Sequence, residues 1–347
     1  MDILGFEKLI YHYDKLDKIK KQENQFPVHM TLSLGNFCNH KCLWCTVYAA
    51  QQKDAQQING ERLLKFLNKA TKRGLKAVGY VGNGEPTAHK EFATIIKKVK
   101  NLGLDQGMFT NAYLLDRYMD DILSSFTYLR VSLDAGSQEI HNKTHDTDGQ
   151  FNRIIDNLRT LVKQRRGKTP TIGIQFAAHQ INLSDLYKSV RLARDIGVDY
   201  FSIKPVFNRG AVGLKLEKNK LTYEDLAPIV AKAKENFEVD GFQIFFRPFQ
   251  ILSNKEERFI HPYEKCYAAT FNLNVYEDGR LVGCGPHQVP LGNMEDDFDK
   301  IEERIRKLPD QLDLSKCPAG CRYHALNHIV DTVINPDRAA IYHSNFL

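Results

Sequence analysis

The stretch VHMTLSLGNFCNHKCLWC, from Val28 to Cys45, contains a strand-like run followed by three cysteines within eight residues. Three thiols at C-x3-C-x2-C spacing can converge on one centre. Structural zinc usually takes four protein ligands, commonly as paired C-x2-C units, whereas three thiolates leave one iron of a [4Fe–4S] cluster open for a further ligand. Cys38, Cys42 and Cys45, on the loop after the first strand, are therefore candidate ligands of such a cluster, with a zinc site or structural cysteines as the alternative.

The overall composition indicates an ordinary globular protein with a sizeable core. The chain has 347 residues, 42% of them hydrophobic and 26% charged, which suits one large domain and a smaller one. Its apolar runs are far shorter than the roughly 20 residues of a membrane span, and its N-terminus is typical of an amphipathic helix rather than a signal peptide. We expect a cytoplasmic protein without a membrane partner, whose seven cysteines are reduced and serve as metal ligands or core residues.

The net charge of +6 permits an anionic substrate or a nucleic acid as partner. The basic residues are scattered, however, and the densest group, KQRRGK at Lys163–Lys168, is typical of a solvated helix end or loop. Because no basic, aromatic-rich appendage is visible, nucleic acid is not expected as a partner.

Strand-like and helix-like segments alternate through the first 205 residues. Six strands are predicted, at Val28–Leu34, Ala77–Gly82, Gln106–Thr110, Tyr128–Asp134, Thr171–Ala177 and Asp199–Pro205. One helical pattern between them ends at Gly74, and another begins at Asn182 or Ser184 and ends at Gly197, where cap residues belong. Repeated β–α units of this kind indicate a parallel sheet with right-handed crossovers, in which the loops after the strands build the active site.

After Pro205 the pattern changes. A loop leads to a helix in TYEDLAPIVAKAKENF and a strand in FQIFFRPF, and FNLNVYEDGRLVGCG then alternates like a hairpin around Asp278 and Gly279. We therefore expect three segments: an N-terminal amphipathic helix over 1–27, an α/β domain over 28–250, and a small cysteine-bearing domain over 251–347.

The cysteine stretch resembles the signature of the radical S-adenosylmethionine (SAM) enzymes, C-x3-C-x-aromatic-C, with Trp44 as the aromatic residue. GYVGNGEP, at the end of the second strand, is similar to the GGE turn of that family, with Asn83 in place of its first glycine. The resemblance implies a partial (β/α)6 TIM-like barrel over 28–250, one [4Fe–4S] cluster, and SAM as cofactor. It also implies a set of cofactor-binding residues: Trp44, Gly82, Asn83, Gly84, Glu85, Thr110, Asn111, Ser132 and Asp134.

Within that set, Glu85 supplies a carboxylate for the ammonium of the cofactor's methionine portion, and glycines allow close backbone approach. Ser132 and Asp134 are expected to contact the ribose or the carboxylate of the cofactor. Gln175 and Lys204, at the ends of strands five and six, are further polar candidates.

The remaining cysteines are Cys266, Cys284, Cys317 and Cys321. The spacing around the hairpin resembles the auxiliary-cluster modules called SPASM and twitch domains, and four cysteines fit the shorter twitch version. The resemblance implies a small α+β domain over 251–347 with a second [4Fe–4S] cluster. The alternative is a four-cysteine zinc site, since paired thiols on a hairpin also describe a zinc ribbon.

Two histidines, His141 and His145, follow Asp134 at i, i+4 spacing, and His40 lies inside the cysteine stretch. The pair is expected in a loop beside the active site, with metal ligation or substrate contact as the alternatives. No third ligand is visible for a separate metal site.

The family resemblance implies an enzyme that cleaves SAM reductively and uses the 5′-deoxyadenosyl radical to abstract a substrate hydrogen atom. An external electron donor such as flavodoxin or ferredoxin is then needed. The lead hypothesis is oxidation or radical rearrangement of a small polar substrate, such as a sugar or an aminocyclitol. The alternatives are radical modification of a peptide or protein, and a non-catalytic iron–sulfur binding module.

Three observations narrow the range of reactions: the number of cysteines, their spacing and the C-terminal residues. Because all seven cysteines are assigned to clusters, epimerisation quenched by a cysteine thiol is disfavoured. The molybdopterin cyclase is disfavoured by a different cysteine spacing and by the lack of a Gly-Gly tail. The catalytic base, the substrate and the oligomeric state are not identified by the sequence.

Overall fold

The structure is a computed structural model that describes residues 5, 7–47, 54–208, 216–247, 250, 261–317 and 320–335. Its described strands are β1 (His29–Leu32), β2 (Ala77–Tyr80), β3 (Asp105–Thr110), β4 (Tyr128–Ser132), β5 (Thr171–Ala178), β6 (Tyr200–Pro205), β7 (Gln243–Phe246), β8 (Asn272–Val275), β9 (Arg280–Val282) and β10 (Pro290–Asn293). All ten lie in one sheet, in the order β10-β9-β8-β1-β2-β3-β4-β5-β6-β7.

The described helices are α1 (Tyr13–Lys20), α2 (Gly60–Lys72), α3 (Phe92–Asn101), α4 (Met119–Ser125), α5 (Gln138–His145), α6 (Gln150–Gln164), α7 (Leu186–Ile196), α8 (Tyr223–Phe237), α9 (Ala268–Phe271), α10 (Phe298–Lys307) and α11 (His324–Ile334). Short 3₁₀ turns cover Glu7–His12, Pro86–Ala88, Leu115–Tyr118, Leu183–Asp185, Leu308–Asp310 and Leu314–Lys316.

Strands β1 to β7 are paired in chain order, and every pair among them is parallel. The first six are the six strands predicted in the alternating region, and β7 is the strand predicted in FQIFFRPF. Sequential parallel pairing with intervening helices is the connectivity of a partial TIM-type barrel. The predicted α/β class and partial barrel are therefore confirmed.

The cap residues explain where several helices begin and end. The Asn59 side chain accepts a hydrogen bond from the Arg62 backbone at the start of α2, and Thr222 forms a capping box at the start of α8. Gly197 ends α7 with φ of 88°, which favours glycine. The start of α7 differs from the prediction, because a 3₁₀ turn (Leu183–Asp185) precedes the α-helix.

The C-terminal hairpin, formed by β8 and β9, continues the sheet on the far side of β1. Strand β8 runs parallel to β1, with His29 opposite Asn272 and Thr31 opposite Asn274. The main hydrophobic core likewise runs from the barrel into the hairpin, where it includes Leu273. Residues 251–260, at the predicted domain boundary, lie outside the described ones, so the division at 250/251 stays a prediction.

The strands place alternate side chains on opposite faces of the sheet. In β1, Met30 and Leu32 are fully buried in the core under the helices, whereas Thr31 faces the inside of the barrel and lines its cavity. A separate apolar cluster, which includes Leu9, Phe271 and Leu326, joins the N-terminal segment to α11. None of the described helices is long and apolar enough to cross a membrane.

Candidate active site

A cavity of about 470 Å³ lies at the carboxyl ends of the parallel strands, where the sequence predicted the active site. This volume is in the range of small-molecule sites. The lining comes from the loops after the strands and from the C-terminal hairpin: Thr31, Ser33, Cys42, Trp44, Cys45, Thr46, Val47, Val81, Gly82, Asn83, Ser132, Asp134, His145, Gln175, Ala177, Lys204, Pro205, Val206, Phe207, Asn274, Val275 and Tyr276.

The cysteine loop, residues 35–47, brings the three predicted thiols to this cavity. Cys42 and Cys45 line it, and all three cysteines are partly buried. The loop is held against the end of α5, where the Lys41 backbone N–H donates to the His145 carbonyl at 3.0 Å. Burial, with the nearby Glu85 charge, raises the pKa of the Cys38 thiol to about 12.

The glycine turn, residues 82–85, packs directly on the cysteine loop. A Cβ atom at Gly84 would lie well under 3.0 Å from the carbonyl oxygens of Phe37 and Gly35, so no larger residue fits there without moving backbone. The Glu85 backbone N–H donates to the Phe37 carbonyl at 2.9 Å. The two segments predicted to share the cofactor are therefore in contact.

Asn83, which departs from the family turn, is bonded to the C-terminal hairpin. Its side-chain amide donates to both carboxylate oxygens of Glu277, at 3.0 and 3.2 Å. The Ser33 hydroxyl donates to the same carboxylate at 2.7 Å. Sequence analysis missed Glu277, because nothing in the sequence showed that the hairpin would lie beside this turn.

Glu85 itself is buried, with 6% of its surface exposed. One carboxylate oxygen accepts hydrogen bonds from the hydroxyls of Thr110, at 2.7 Å, and Thr87, at 2.6 Å, and the other accepts from the Asn111 backbone at 2.8 Å. Burial raises the pKa of this carboxyl, while the bonds from Thr87, Asn111 and Thr110 lower it. The carboxylate thus ties together the loops after β2 and β3, and its expected contact with an ammonium stays a prediction.

Thr110 and Asn111 lie behind the cysteine loop rather than on the cavity lining. The Asn111 side-chain amide donates to the Asn39 side chain at 2.8 Å and lies 3.9 Å from the Cys38 sulfur. These two residues therefore support the loop that carries the thiols.

Asp134 is buried at the centre of the site. One of its oxygens accepts from the Ala177 backbone at 2.6 Å, and the other from the Trp44 indole at 3.2 Å. Burial raises the pKa of its carboxyl to about 6. Ser132, two residues earlier on β4, lines the cavity as well.

Lys204 faces the same cavity from β6, paired in register with Ala177 on β5. Burial lowers the pKa of its ammonium to about 8, although the charge of Asp134 raises it. An amine with such a pKa can exchange a proton near neutral pH.

Three histidines are packed together beneath the cysteine loop. His141 and His145 lie on α5, not in the loop that the sequence predicted, because Ser137 begins a short helix there. Their rings stack at 4.4 Å between centroids. The ligand atoms of His40, Cys42 and His145 all lie within 4.8 Å of one another. The sequence did not indicate that His40 packs beside the histidines of α5.

The four remaining cysteines come from separate segments and meet in the C-terminal region. All four are partly buried, and burial, with the charges of Cys321, Cys266 and Cys284, raises the pKa of the Cys317 thiol to about 12. The Asn327 amide donates to the Cys266 sulfur at 3.2 Å. These thiols are therefore close enough to influence one another.

Both thiol sets fit a cationic metal group. Burial and mutual repulsion raise the pKa of thiols in each set, so the apo protein disfavours the thiolates that metals require. A bound cation reverses this preference, because coordination deprotonates the thiol. The first set, Cys38, Cys42 and Cys45, offers three sulfur donors. The second set offers four: Cys266, Cys284, Cys317 and Cys321.

Comparison with known families agrees with this geometry. Residues 32–193 match the sequence model of the radical SAM superfamily. These residues, just under half of the chain, form a radical SAM domain, as the cysteine loop and glycine turn predicted. Such a domain implies one [4Fe–4S] cluster and SAM, and the auxiliary module stays a prediction.

Two curated relatives bear the name probable GTP 3′,8-cyclase. The protein from Saccharolobus solfataricus is 26% identical over 172 residues, which cover 49% of this chain and 54% of that relative. The chain thus spans about half the length of this relative. The protein from Methanocaldococcus jannaschii is 26% identical over 262 residues, covering 74% of this chain and 84% of that protein.

Among solved structures, the fold is similar to that of SuiB from Streptococcus suis bound to its precursor peptide SuiA. The TM-score is 0.68 at 17% sequence identity, covering 91% of this chain and 76% of SuiB. At this level of identity the likeness supports the fold.

Proposed function

We propose that the chain holds a [4Fe–4S] cluster at Cys38, Cys42 and Cys45, binds SAM beside it, and abstracts a hydrogen atom from a small polar substrate. The observation that carries this proposal is the meeting of the cysteine loop, the glycine turn and the C-terminal hairpin around one cavity. The reaction that follows is oxidation or radical rearrangement.

Each part of the cavity has a separate task in this proposal. Bound together, the cluster and SAM supply a 5′-deoxyadenosyl radical by one-electron cleavage of the cofactor. Gly82 lines the cavity where the methionine portion of SAM would lie, Gly84 lets the turn pack on the cysteine loop, and Asn83 is oriented there by Glu277. Trp44 covers the buried carboxylate of Asp134 and keeps water from it.

The remaining cofactor residues have supporting or polar roles. Ser132 and Asp134 face the ribose or carboxylate of SAM, while Thr110 and Asn111 hold the cysteine loop in place. Lys204 is the candidate for moving a proton to or from the substrate, because burial lowers its pKa to about 8.

A second [4Fe–4S] cluster is proposed at Cys266, Cys284, Cys317 and Cys321. The influence of these thiols on one another's pKa values supports a metal group that all four of them bind. Zinc is the alternative occupant, and anaerobic metal analysis distinguishes the two. Two clusters give about eight irons per chain, whereas a zinc site gives about four irons and one zinc.

The cavity favours a small polar substrate. Hydroxyl, amide and amine groups from Thr31, Ser132, Gln175, Lys204 and Asn274 line it, which suits the hydroxyls and amines of a sugar or aminocyclitol. GTP enters as a second candidate because two curated relatives are named GTP 3′,8-cyclases. A peptide is the third, supported by the fold of peptide-bound SuiB.

The test is SAM cleavage by the anaerobically reconstituted protein, reduced with dithionite or with flavodoxin or ferredoxin. We expect 5′-deoxyadenosine and methionine from the wild type and neither from Cys42→Ala. Sugars, aminocyclitols, GTP and peptides are then compared for stimulation of this cleavage. A wild-type protein with a full cluster but no 5′-deoxyadenosine would favour the non-catalytic iron–sulfur module.

Turnover in deuterated water distinguishes oxidation of the substrate from its epimerisation. Oxidation leaves no solvent deuterium at the abstracted carbon, because the radical loses an electron and a proton. Deuterium at that carbon without an oxidised product would contradict the oxidation and favour epimerisation.

A further inference from the structure

His145 lies at the end of α5, between the cysteine loop and the cavity. Its Nδ1 atom is 3.2 Å from the Cys42 sulfur and 3.2 Å from Nδ1 of His40. Its Nε2 atom faces the Asp134 carboxylate at 3.5 Å and has no hydrogen-bond partner among the described residues. The side chain is 1% exposed, so water does not complete these contacts.

The neighbours of His145 determine which nitrogen carries its hydrogen. Nε2 of His40 lies 2.9 Å from the side-chain oxygen of Gln150, and since that oxygen only accepts, this nitrogen is the donor. In a neutral imidazole the other nitrogen, Nδ1 of His40, is then an acceptor. The short contact between the two Nδ1 atoms therefore requires that His145 donates from Nδ1.

The same N–H faces the sulfur of Cys42. A cysteine that binds iron is a thiolate, which accepts hydrogen bonds and has none to donate. At 3.5 Å from the Asp134 carboxylate, Nε2 is too far for an ordinary hydrogen bond, so the two Nδ1 contacts decide the tautomer.

The surrounding structure fixes this geometry. The His145 carbonyl accepts from the Lys41 backbone, and the Thr144 carbonyl accepts from the Leu43 backbone at 2.9 Å. His141 stacks on His145 with an angle of 11° between the rings. The loop on both sides of Cys42 is thus bonded to the helix that carries His145.

Among the described residues, no side-chain donor lies as close to the Cys38 sulfur. That sulfur receives the His40 backbone N–H at 3.5 Å and the Asn111 amide at 3.9 Å. Both distances are longer than the 3.2 Å between His145 Nδ1 and the Cys42 sulfur.

We propose that His145 donates an N–H···S hydrogen bond to the Cys42 ligand and thereby raises the reduction potential of the cluster that the cysteine loop holds. Reduction adds one electron to the cluster, and a donor at a ligating sulfur stabilises the added charge. His40 and Gln150 act as positioning residues, because they select the tautomer of His145. The proposal rests on the proposed function, since it requires a cluster at these cysteines.

The test is a redox titration of the reconstituted full-length protein, followed by the EPR signal that responds to SAM. His145→Leu and His145→Asn form a matched pair of similar size, and only Asn keeps a donor near the Nδ1 position. We expect the potential of His145→Leu to be more negative than that of the wild type, and His145→Asn to lie close to the wild type. Gln138→Leu, an exposed neutral position on the same helix, should leave the potential unchanged.

A second measurement detects the proposed hydrogen bond directly. Electron–nuclear double resonance of the reduced wild type, after exchange into deuterated water, should reveal an exchangeable deuteron coupled to the cluster, and His145→Leu should lose it. Equal potentials for His145→Leu and the wild type would overturn the proposal, as would a directly coordinated nitrogen. Failure of the wild type to assemble this cluster would instead contradict the proposed function.

Discussion

Glu277 accepts hydrogen bonds from Asn83 with both oxygens of its carboxylate. One residue belongs to the C-terminal hairpin and the other to the glycine turn, so the bond joins two segments assigned to different domains by the sequence. The contact becomes possible because β8 pairs with β1 and places the hairpin beside β2. The hairpin is thereby part of the wall around the expected cofactor.

This relationship predicts a loss of affinity for SAM when Glu277 is replaced by Ala. Without its acceptor the Asn83 amide loses its orientation, and we expect about tenfold weaker binding, equivalent to about 1.4 kcal/mol. Anaerobic titration calorimetry measures the affinity, and iron content should not change. Asp278→Ala, in the same turn and exposed, is the control with wild-type affinity. If Glu277→Ala binds SAM as tightly as Asp278→Ala and the wild type do, Glu277 does not act on the glycine turn.

Glu85→Gln should lower the stability of the protein. The amide group places a donor against the Thr110 hydroxyl or the Asn111 N–H, and a buried donor left unsatisfied costs about 1–3 kcal/mol. Urea unfolding measures the free energy of unfolding, and the exposed Glu61→Gln is the control, expected to be as stable as the wild type. An unchanged stability together with weaker SAM binding would instead support the direct contact with the ammonium.

Gly84→Ala should disrupt assembly of the first cluster. The added methyl group meets the Phe37 and Gly35 carbonyls, so either the turn or the cysteine loop must move. We expect less iron per chain and a lower melting temperature than in the wild type. Gly285→Ala is the control, because a Cβ there meets nothing within 4 Å. Full iron content in Gly84→Ala would show that the two segments do not need this close contact.

Lys204 should titrate far below an ordinary lysine. Burial disfavours its charged form, so the neutral amine appears as the pH rises through about 8, compared with about 10.4 for a solvated lysine. Acylation rates at different pH values, read by mass spectrometry of the Lys204 peptide, give the pKa. Since Asp134 raises this pKa, Asp134→Asn should lower it further. Half-maximal labelling of the wild type near pH 10 would contradict the burial of this amine.

The sequence predicted the elements that depend on local patterns. The first strand, predicted over Val28–Leu34 and observed over His29–Leu32, and the helix ending before Gly74 follow from alternation and caps. The thiols of Cys42 and Cys45 follow from spacing within one loop. These features need no knowledge of distant partners, which is why one sequence was sufficient.

The missed features depend on contacts between distant segments. Glu277 lies beside Asn83 only because a late strand pairs with β1, and strand pairing across such a separation leaves no local signal. The helical position of His145 shows the same limit, since its i, i+4 spacing from His141 fits a helix but does not reveal that His40 packs against it. The low pKa of Lys204 arises from burial, which sequence alone did not give.

The central claim is that SAM binds at a cluster held by Cys38, Cys42 and Cys45. The most direct measurement is the EPR spectrum of the dithionite-reduced, reconstituted protein before and after addition of SAM. We predict that SAM changes one cluster signal in the wild type and that Cys42→Ala lacks this SAM-sensitive signal. A wild-type spectrum that SAM leaves unchanged, or a SAM-sensitive signal that survives in Cys42→Ala, would contradict the account.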